Sequence, residues 1–239
     1  MDEQNFQPNR TYIKSNAVTV MHFLWFVTAL MLVLVVGFCI FAVVDSGKNS
    51  QYHWDVNGKF YYTLDNRQAT IVKFMDADAK TYEIPRSVSF NGKNYPVTVI
   101  GAHAFANHRK LTSVVIPDNV TEVLGDSKTQ TGAFSGCLAL ATIDFGHGMM
   151  RIGKYAFKNC LALSAVNFPA SVQFIEDGAF QGCLALESIE LNSNGILGVD
   201  CFADCTNVTI LKLADNVRLT DSACQVLSDL AKLSTFLLT

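Results

Sequence analysis

Seven cysteines and five histidines are the residues of this chain best suited to chemistry. Thiolates and imidazoles ligate zinc, thiols pair as disulfides, and either group serves covalent catalysis when a base is held against it. Their spacing argues against each use. A zinc site needs four converging ligands, and the nearest thing to a paired C-x-x-C is Cys201 and Cys205, a C-x-x-x-C with no histidine downstream. His103 and His108 are five positions apart and His147 is distant from both, so no metal is expected. There is no G-x-S-x-G elbow and no glycine-rich phosphate loop, since the fifteen glycines fall mostly at turns. Carboxylates such as Asp144 and Glu190 share a surface, where solvation is the default for acids. The reading is a chain without catalytic residues or cofactor, not an enzyme.

Composition narrows the class further. The chain has 239 residues, 50% of them hydrophobic and 16% charged, which excludes a disordered tail and a disulfide-dense miniprotein. Lys plus Arg total 18 against 21 Asp plus Glu, a net charge of -3 that provides no field for nucleic acid. The mean hydropathy of +0.24 is high and is inflated by one N-terminal stretch.

What positions the cysteines is a repeat. Gly101-Ala102-His103-Ala104-Phe105 recurs as Thr131-Gly132-Ala133-Phe134, Gly153-Lys154-Tyr155-Ala156-Phe157, Asp177-Gly178-Ala179-Phe180 and Asp200-Cys201-Phe202. The phenylalanines are spaced by 29, 23, 23 and 22 residues. Three residues after each stands His108, Cys137, Cys160, Cys183 or Cys205, and three further on Leu111, Leu140, Leu163, Leu186 or Val208. Each unit ends in an alternating pair, from Val114/Ile116 through Ile143/Phe145, Val166/Phe168 and Ile189/Leu191 to Leu211/Leu213.

Five slots in register through five copies predict a solenoid, one coil per repeat, in which each slot becomes a column. The alternating segment has the period of a strand, so its apolar members face inward and successive coils build one parallel sheet. Column cysteines then sit about 4.8 Å apart with parallel Cβ vectors, too far for the roughly 3.5–4.5 Å between the Cβ atoms of a disulfide, and buried free thiols are expected instead.

The Phe-x-x-Cys-x-x-Leu core, with Ile152-Gly153 or Ile175-Glu176 before it and Asn167-Phe168-Pro169 or Val115-Ile116-Pro117 after it, resembles the BspA-type leucine-rich repeat of microbial surface proteins. The likeness runs from residue 97 to about 214, with a degenerate last unit to Thr239. It implies a right-handed solenoid with one parallel sheet and an irregular or short-helical convex side, used for ligand binding and often for adhesion, with no catalytic residues to carry over.

Three departures from the pattern carry expectations. His108 fills the first cysteine slot. Six extra residues, Gly125 to Gln130, are too polar for core and read as a protruding loop. In the last unit, Ala223, Val226, Leu227 and Leu230 have helical spacing behind Thr220-Asp221, before Leu233 to Leu238 restores a strand. Residues 45–96 lack the repeat, but Phe60 to Leu64 and Ala69 to Val72 flank Asp65-Asn66, and Val88-Ser89-Phe90 precedes Asn91-Gly92. These hairpin signals are read as a small N-terminal β cap behind a juxtamembrane linker at 45–57.

Ala17 to Val44 runs 28 residues without Asp, Glu, Lys or Arg. As a helix it would rise about 42 Å, more than the roughly 30 Å hydrocarbon layer, and it reads as a transmembrane signal anchor. A cleaved signal peptide, the competing reading, has a shorter apolar core and a small-x-small site, which Ala42-Val43-Val44-Asp45 matches poorly. Phe38 before Cys39 excludes a lipobox. Arg10 and Lys14 place residues 1–16 inside as a short tail and the rest outside. The expected order is therefore tail, span at 17–44, linker and cap at 45–96, and a solenoid of about six coils at 97–239.

The outward positions of the predicted strands form two columns: Ser113, Thr142, Ala165, Ser188, Ile210, and Val115, Asp144, Asn167, Glu190, Lys212. Curved solenoids present this face to partners. Asp144, Asn167 and Glu190 make a mildly acidic strip suited to a protein bearing Lys or Arg. The alternative is a structural component that self-associates through the terminal strand Phe236 to Leu238. Asn119-Val120-Thr121 and Asn207-Val208-Thr209 are formal glycosylation sequons that decide neither reading.

Overall fold

A computed structural model describes residues 52–191, 195–213, 218–219 and 235–238. The expected span at 17–44, its flanking tail and the helical final coil lie outside the described residues. Among the described residues no helix is long and apolar enough to cross a membrane.

The chain begins with β1 (His53–Trp54), β2 (Phe60–Asp65) and β3 (Gln68–Phe74), successive antiparallel neighbours. Asn66 and Arg67 both take positive φ at the β2–β3 turn, the conformation that matches the strands' right-handed twist. After β4 (Thr81–Glu83), β5 (Ser87–Phe90) and β6 (Lys93–Ile100) form a second hairpin through Asn91-Gly92, also at positive φ. Both hairpins read from the sequence are present. β3 then lies parallel to β6, and Phe74 stacks on Phe105 with ring centroids 4.8 Å apart.

From there each coil contributes two extended segments. They are β7 (Ser113–Val115) and β8 (Glu122–Val123), β11 (Thr142–Asp144) and β12 (Arg151–Ile152), β13 (Ala165–Phe168) and β14 (Phe174–Ile175), β15 (Ser188–Leu191) and β16 (Ile196–Leu197), β17 (Ile210–Leu213) and β18 (Arg218–Leu219), and finally β19 (Thr235–Leu238). Between β8 and β11 the extra residues form a small antiparallel hairpin of β9 (Gly125–Asp126) and β10 (Thr131–Gly132), with an exposed tip, as expected of the polar insertion.

The single parallel sheet expected from the sequence is corrected to two parallel ladders. One runs β6-β8-β12-β14-β16-β18 and joins the N-terminal hairpin through β3. The other carries the alternating segments, and it is itself divided into β4-β7-β11 and β13-β15-β17-β19. The second ladder arises because the two residues before each Gly-Ala-Phe unit, such as Arg151-Ile152, are extended as well: Ile152 points into the core and its strand bonds to both neighbouring coils. A start at residue 97 is also too late. Tyr82 of β4 registers with Val114 of β7, and Glu83-Ile84-Pro85 repeats the Val115-Ile116-Pro117 pattern one coil earlier.

Of the irregular or short-helical convex side expected from the repeat, the described residues form runs of turns and no helix. Bonds such as His108 N–H to Phe105 O and Leu111 N–H to His108 O have the three-residue reach of a turn. A helix cannot propagate because the position two after each column phenylalanine is left-handed: Asn107, Gly136, Asn159, Gly182 and Asp204 all have φ between 59° and 74°. A Cβ on Gly182 would lie 2.3 Å from Asn159 Oδ1 of the preceding coil, so the asparagine amide and the glycine share one small space.

The core is the set of columns. Phe105, Phe134, Phe157, Phe180 and Phe202 are fully buried and stack ring on ring at 4.8, 5.1, 5.1 and 5.5 Å, with Phe74 as an added first rung. Phe145 and Phe168 form a shorter second row set edge-on to Phe157 and Phe180. Truncating a buried phenylalanine to alanine costs about 3–5 kcal/mol. Phe157→Ala, which removes the partner of both Phe134 and Phe180, is expected to lower stability by that amount in denaturant melts, whereas Lys158→Ala beside it changes stability by less than about 0.5 kcal/mol.

Candidate functional site

The cysteine column is structural. Cys137, Cys160, Cys183 and Cys205 are buried and free, as is Cys201. Each column thiol donates to the phenylalanine carbonyl of the preceding coil: Cys137 to Phe105 O at 3.0 Å, Cys160 to Phe134 O at 3.3 Å, Cys183 to Phe157 O at 3.2 Å and Cys205 to Phe180 O at 3.3 Å. This explains why the slot holds cysteine rather than a larger aliphatic residue: the thiol gives a buried carbonyl, already bonded by a backbone N–H, a second donor while filling little volume. His108 does the same for its own coil, with Nδ1 2.9 Å from Phe105 O.

Desolvation drives the Cys137 and Cys201 thiols up to about 12 and holds Cys160 well above its ordinary value. Cys183 is raised first by its hydrogen bond with Cys205 and then by burial. None of these four is a thiolate near neutral pH, so none is activated as a nucleophile or metal ligand. Among the described residues no cluster of His, Cys, Asp or Glu is arranged to hold a metal ion. A cleft of about 390 Å³ lies beside β4; of its two acids, Asp55 and Glu83, Asp55 accepts the backbone N–H groups of Asn57, Lys59 and Phe60 and so serves its own turn.

The ten outward residues divide according to the break in their sheet. Ser113 registers with Thr142 and Val115 with Asp144 on one side; Ala165, Ser188 and Ile210, and Asn167, Glu190 and Lys212, register on the other. Thr81 and Glu83 of β4 extend both columns by one coil, positions the sequence reading missed. Asp144 and Asn167, expected side by side, belong to separate sheets. Glu190 Oε2 lies 3.8 Å from Lys212 Nζ, so part of the acidic strip is balanced within the face.

Polar residues elsewhere are committed to holding coils together. Arg151 pairs with Glu176 and stacks over Phe174, and Lys154 pairs with Asp177. Asn119 Nδ2 donates to Arg86 O at 2.8 Å and Val97 O at 2.6 Å, and Asn207 Nδ2 to Leu184 O at 2.8 Å. By contrast the side chains of Ser113, Thr142, Asp144, Asn167 and Ser188 have no hydrogen-bond or ionic partner among the described residues.

Stacked coils with phenylalanine, cysteine and leucine columns between two parallel ladders define a leucine-rich-repeat solenoid. The chain belongs to the BspA type leucine rich repeat family, whose repeat region matches in six copies over residues 79–209 and 127–236. The crystal structure of a T. pallidum leucine rich repeat protein is similar at a TM-score of 0.56 and 23% identity, over 80% of each chain. A leucine-rich repeat protein from Bacteroides ovatus matches 81% of this chain and 52% of its own at 20% identity and a TM-score of 0.46. A leucine rich cell surface protein from Faecalibacterium prausnitzii matches 74% of this chain and 58% of its own at 23% identity and a TM-score of 0.45. No curated protein matches the chain.

The thiol column fixes a pH dependence. Unfolded cysteine ionises near 8.5, whereas the folded thiols hold their protons to higher pH, so the folded state binds more protons above that point. Stability is therefore full below about pH 8.5 and falls between there and the folded values, by about 1.4 kcal/mol per pH unit for each of Cys137, Cys160, Cys183 and Cys201. Chemical denaturation from pH 7 to pH 10 is expected to show this slope, and Cys137→Ala to reduce it.

Proposed function

We propose that this chain tethers a protein-binding solenoid to a membrane and displays it outside the cell. The observation that carries the binding role is that Ser113, Thr142, Asp144, Asn167 and Ser188 on the strand face are uncommitted among the described residues, while on the other side Arg151 with Glu176 and Lys154 with Asp177 bond coil to coil. Small polar groups with one free carboxylate, flanked by exposed Val115, suit a protein partner with an apolar and basic contact surface. Family membership supports the same use, because leucine-rich repeats are binding scaffolds built without catalytic machinery.

The tether rests on the uncharged stretch from Ala17 to Val44, and the outward orientation on Arg10 and Lys14 before it. The antiparallel strands at residues 53–74 are read as the cap that covers the solenoid's first coil, with β3 lying parallel to β6 of that coil.

Photo-crosslinking in the native membrane tests the assignment of the face. A benzoylphenylalanine at Asn167 or Thr142 is expected to give a discrete protein adduct, whereas the same probe at Glu122 or Gln173, on the other ladder side, gives none. Equal labelling from both sides would remove the face from consideration, and an adduct whose partner is this chain itself would favour assembly over recognition. Thiol labelling of intact cells at an introduced Ser50→Cys tests orientation: labelling by an impermeant reagent is expected only if the domain lies outside.

A further inference from the structure

The strand face is interrupted at one coil boundary, and the interruption has a local cause. Elsewhere on this side backbone bonds knit the coils at the strand entrance: Thr112 and Ser113 N–H to Lys80 O, Ala141 and Thr142 N–H to Thr112 O, Glu187 N–H to Ser164 O, and Thr209 and Ile210 N–H to Glu187 O. At the strand exit, Ile84 N–H reaches Val115 O and Ile116 N–H reaches Asp144 O. Across the β11–β13 boundary the equivalent donors, Ser164 N–H at the entrance (the counterpart of Thr112, Ala141, Glu187 and Thr209) and Phe145 N–H at the exit, have no such bond, and the two strands belong to different sheets. Ile143 is accordingly only partly buried, whereas Val114, Val166, Ile189 and Leu211 at the same inward register are buried. Behind the gap the second ladder is continuous, since β12 pairs with both β8 and β14, and Phe134 stacks on Phe157.

The cause lies in Gly146-His147-Gly148, which stand where the neighbouring coils have Pro117-Asp118-Asn119 and Pro169-Ala170-Ser171. A Cβ at Gly146 would lie 2.5 Å from the carbonyl carbon of Pro117, and one at Gly148 would lie 1.9 Å from Asp118 O. Two glycines thus let this turn close onto the preceding coil nearer than any side chain would allow. Asp118 Oδ1 secures it, accepting the backbone N–H of His147 at 3.0 Å and standing 3.1 Å from His147 Nδ1. The β11 segment is held toward β7 and away from β13.

We propose that the strand face is two plates, β4-β7-β11 and β13-β15-β17, and that the gap between them is a hinge on the continuous second ladder, through which the face changes curvature when it engages a partner. The use by a partner rests on the binding role proposed above; the gap and its motion do not.

Hydrogen–deuterium exchange on the full 239-residue chain, with no partner present, tests the gap directly. The Ser164 and Phe145 amides are expected to exchange at least about tenfold faster than their bonded counterparts Ala141 and Ile116, and protection within about twofold would overturn the proposal. In Asp118→Ala the clamp is released, and the Ser164 amide is expected to slow toward the Ala141 value; an unchanged rate would overturn the assigned cause. Motion is read from spin labels in a Cys39→Ser, Cys224→Ser background. The distance distribution between labels at Val115→Cys and Ile210→Cys, which spans the gap, is expected to be broader than that between Glu122→Cys and Ile196→Cys on the continuous ladder. Equal widths would overturn the hinge. None of these readouts depends on a ligand, so they fail or succeed separately from the crosslinking test of the face.

Discussion

Coil-on-coil burial is the constraint from which the rest of this structure follows. A single turn of the chain has its phenylalanine, cysteine and leucine on the flat of the coil, where only the next coil can cover them. The fold therefore gains stability only by repeating itself at one fixed rise, with rings stacked at about 5 Å. That rise decides which side chains are tolerated. It selects a planar ring that stacks, a thiol small enough to fit yet able to bond the carbonyl behind it, and a residue that accepts a left-handed turn. The three requirements recur together because each is a different consequence of the same translation.

Much of this was legible in the amino-acid order. Five slots holding register through Phe105, Phe134, Phe157, Phe180 and Phe202 announce a column without any structure, because chance does not keep five spacings at once. The free thiols followed from strand geometry, and the two hairpins from Asp65-Asn66 and Asn91-Gly92. What escaped did so for physical reasons. Beyond β6 the second ladder is built from strands of two residues, too short for alternation to register. The first coil was hidden because Tyr82 takes the inward slot otherwise held by aliphatic residues, and because its aromatic rung, Phe74, comes before that strand rather than in the usual motif.

The candidate face was legible only in part. Alternation placed the ten outward residues correctly in register within each plate, but it assumed that every coil bonds equally to the next. Gly146-His147-Gly148 was the available signal, a glycine pair where the adjacent coils have proline. Its meaning depends on a neighbour 29 positions away, the Asp118 carboxylate, which no local pattern connects to it. Charge was similarly misread: Glu190 counts as acidic along the chain but lies beside Lys212 in space.

The two asparagines of the N-x-T sequences illustrate how a short motif can be overruled by the fold. Both amide nitrogens are already engaged by carbonyls of the preceding coil, at 2.6–2.8 Å. An oligosaccharide attached at either nitrogen would occupy the seam between consecutive coils. A eukaryotic secretory host that decorates the chain before it closes would thus yield molecules unable to complete their stack, while a bacterial host would not, and the choice of host becomes a determinant of whether folded material is recovered at all.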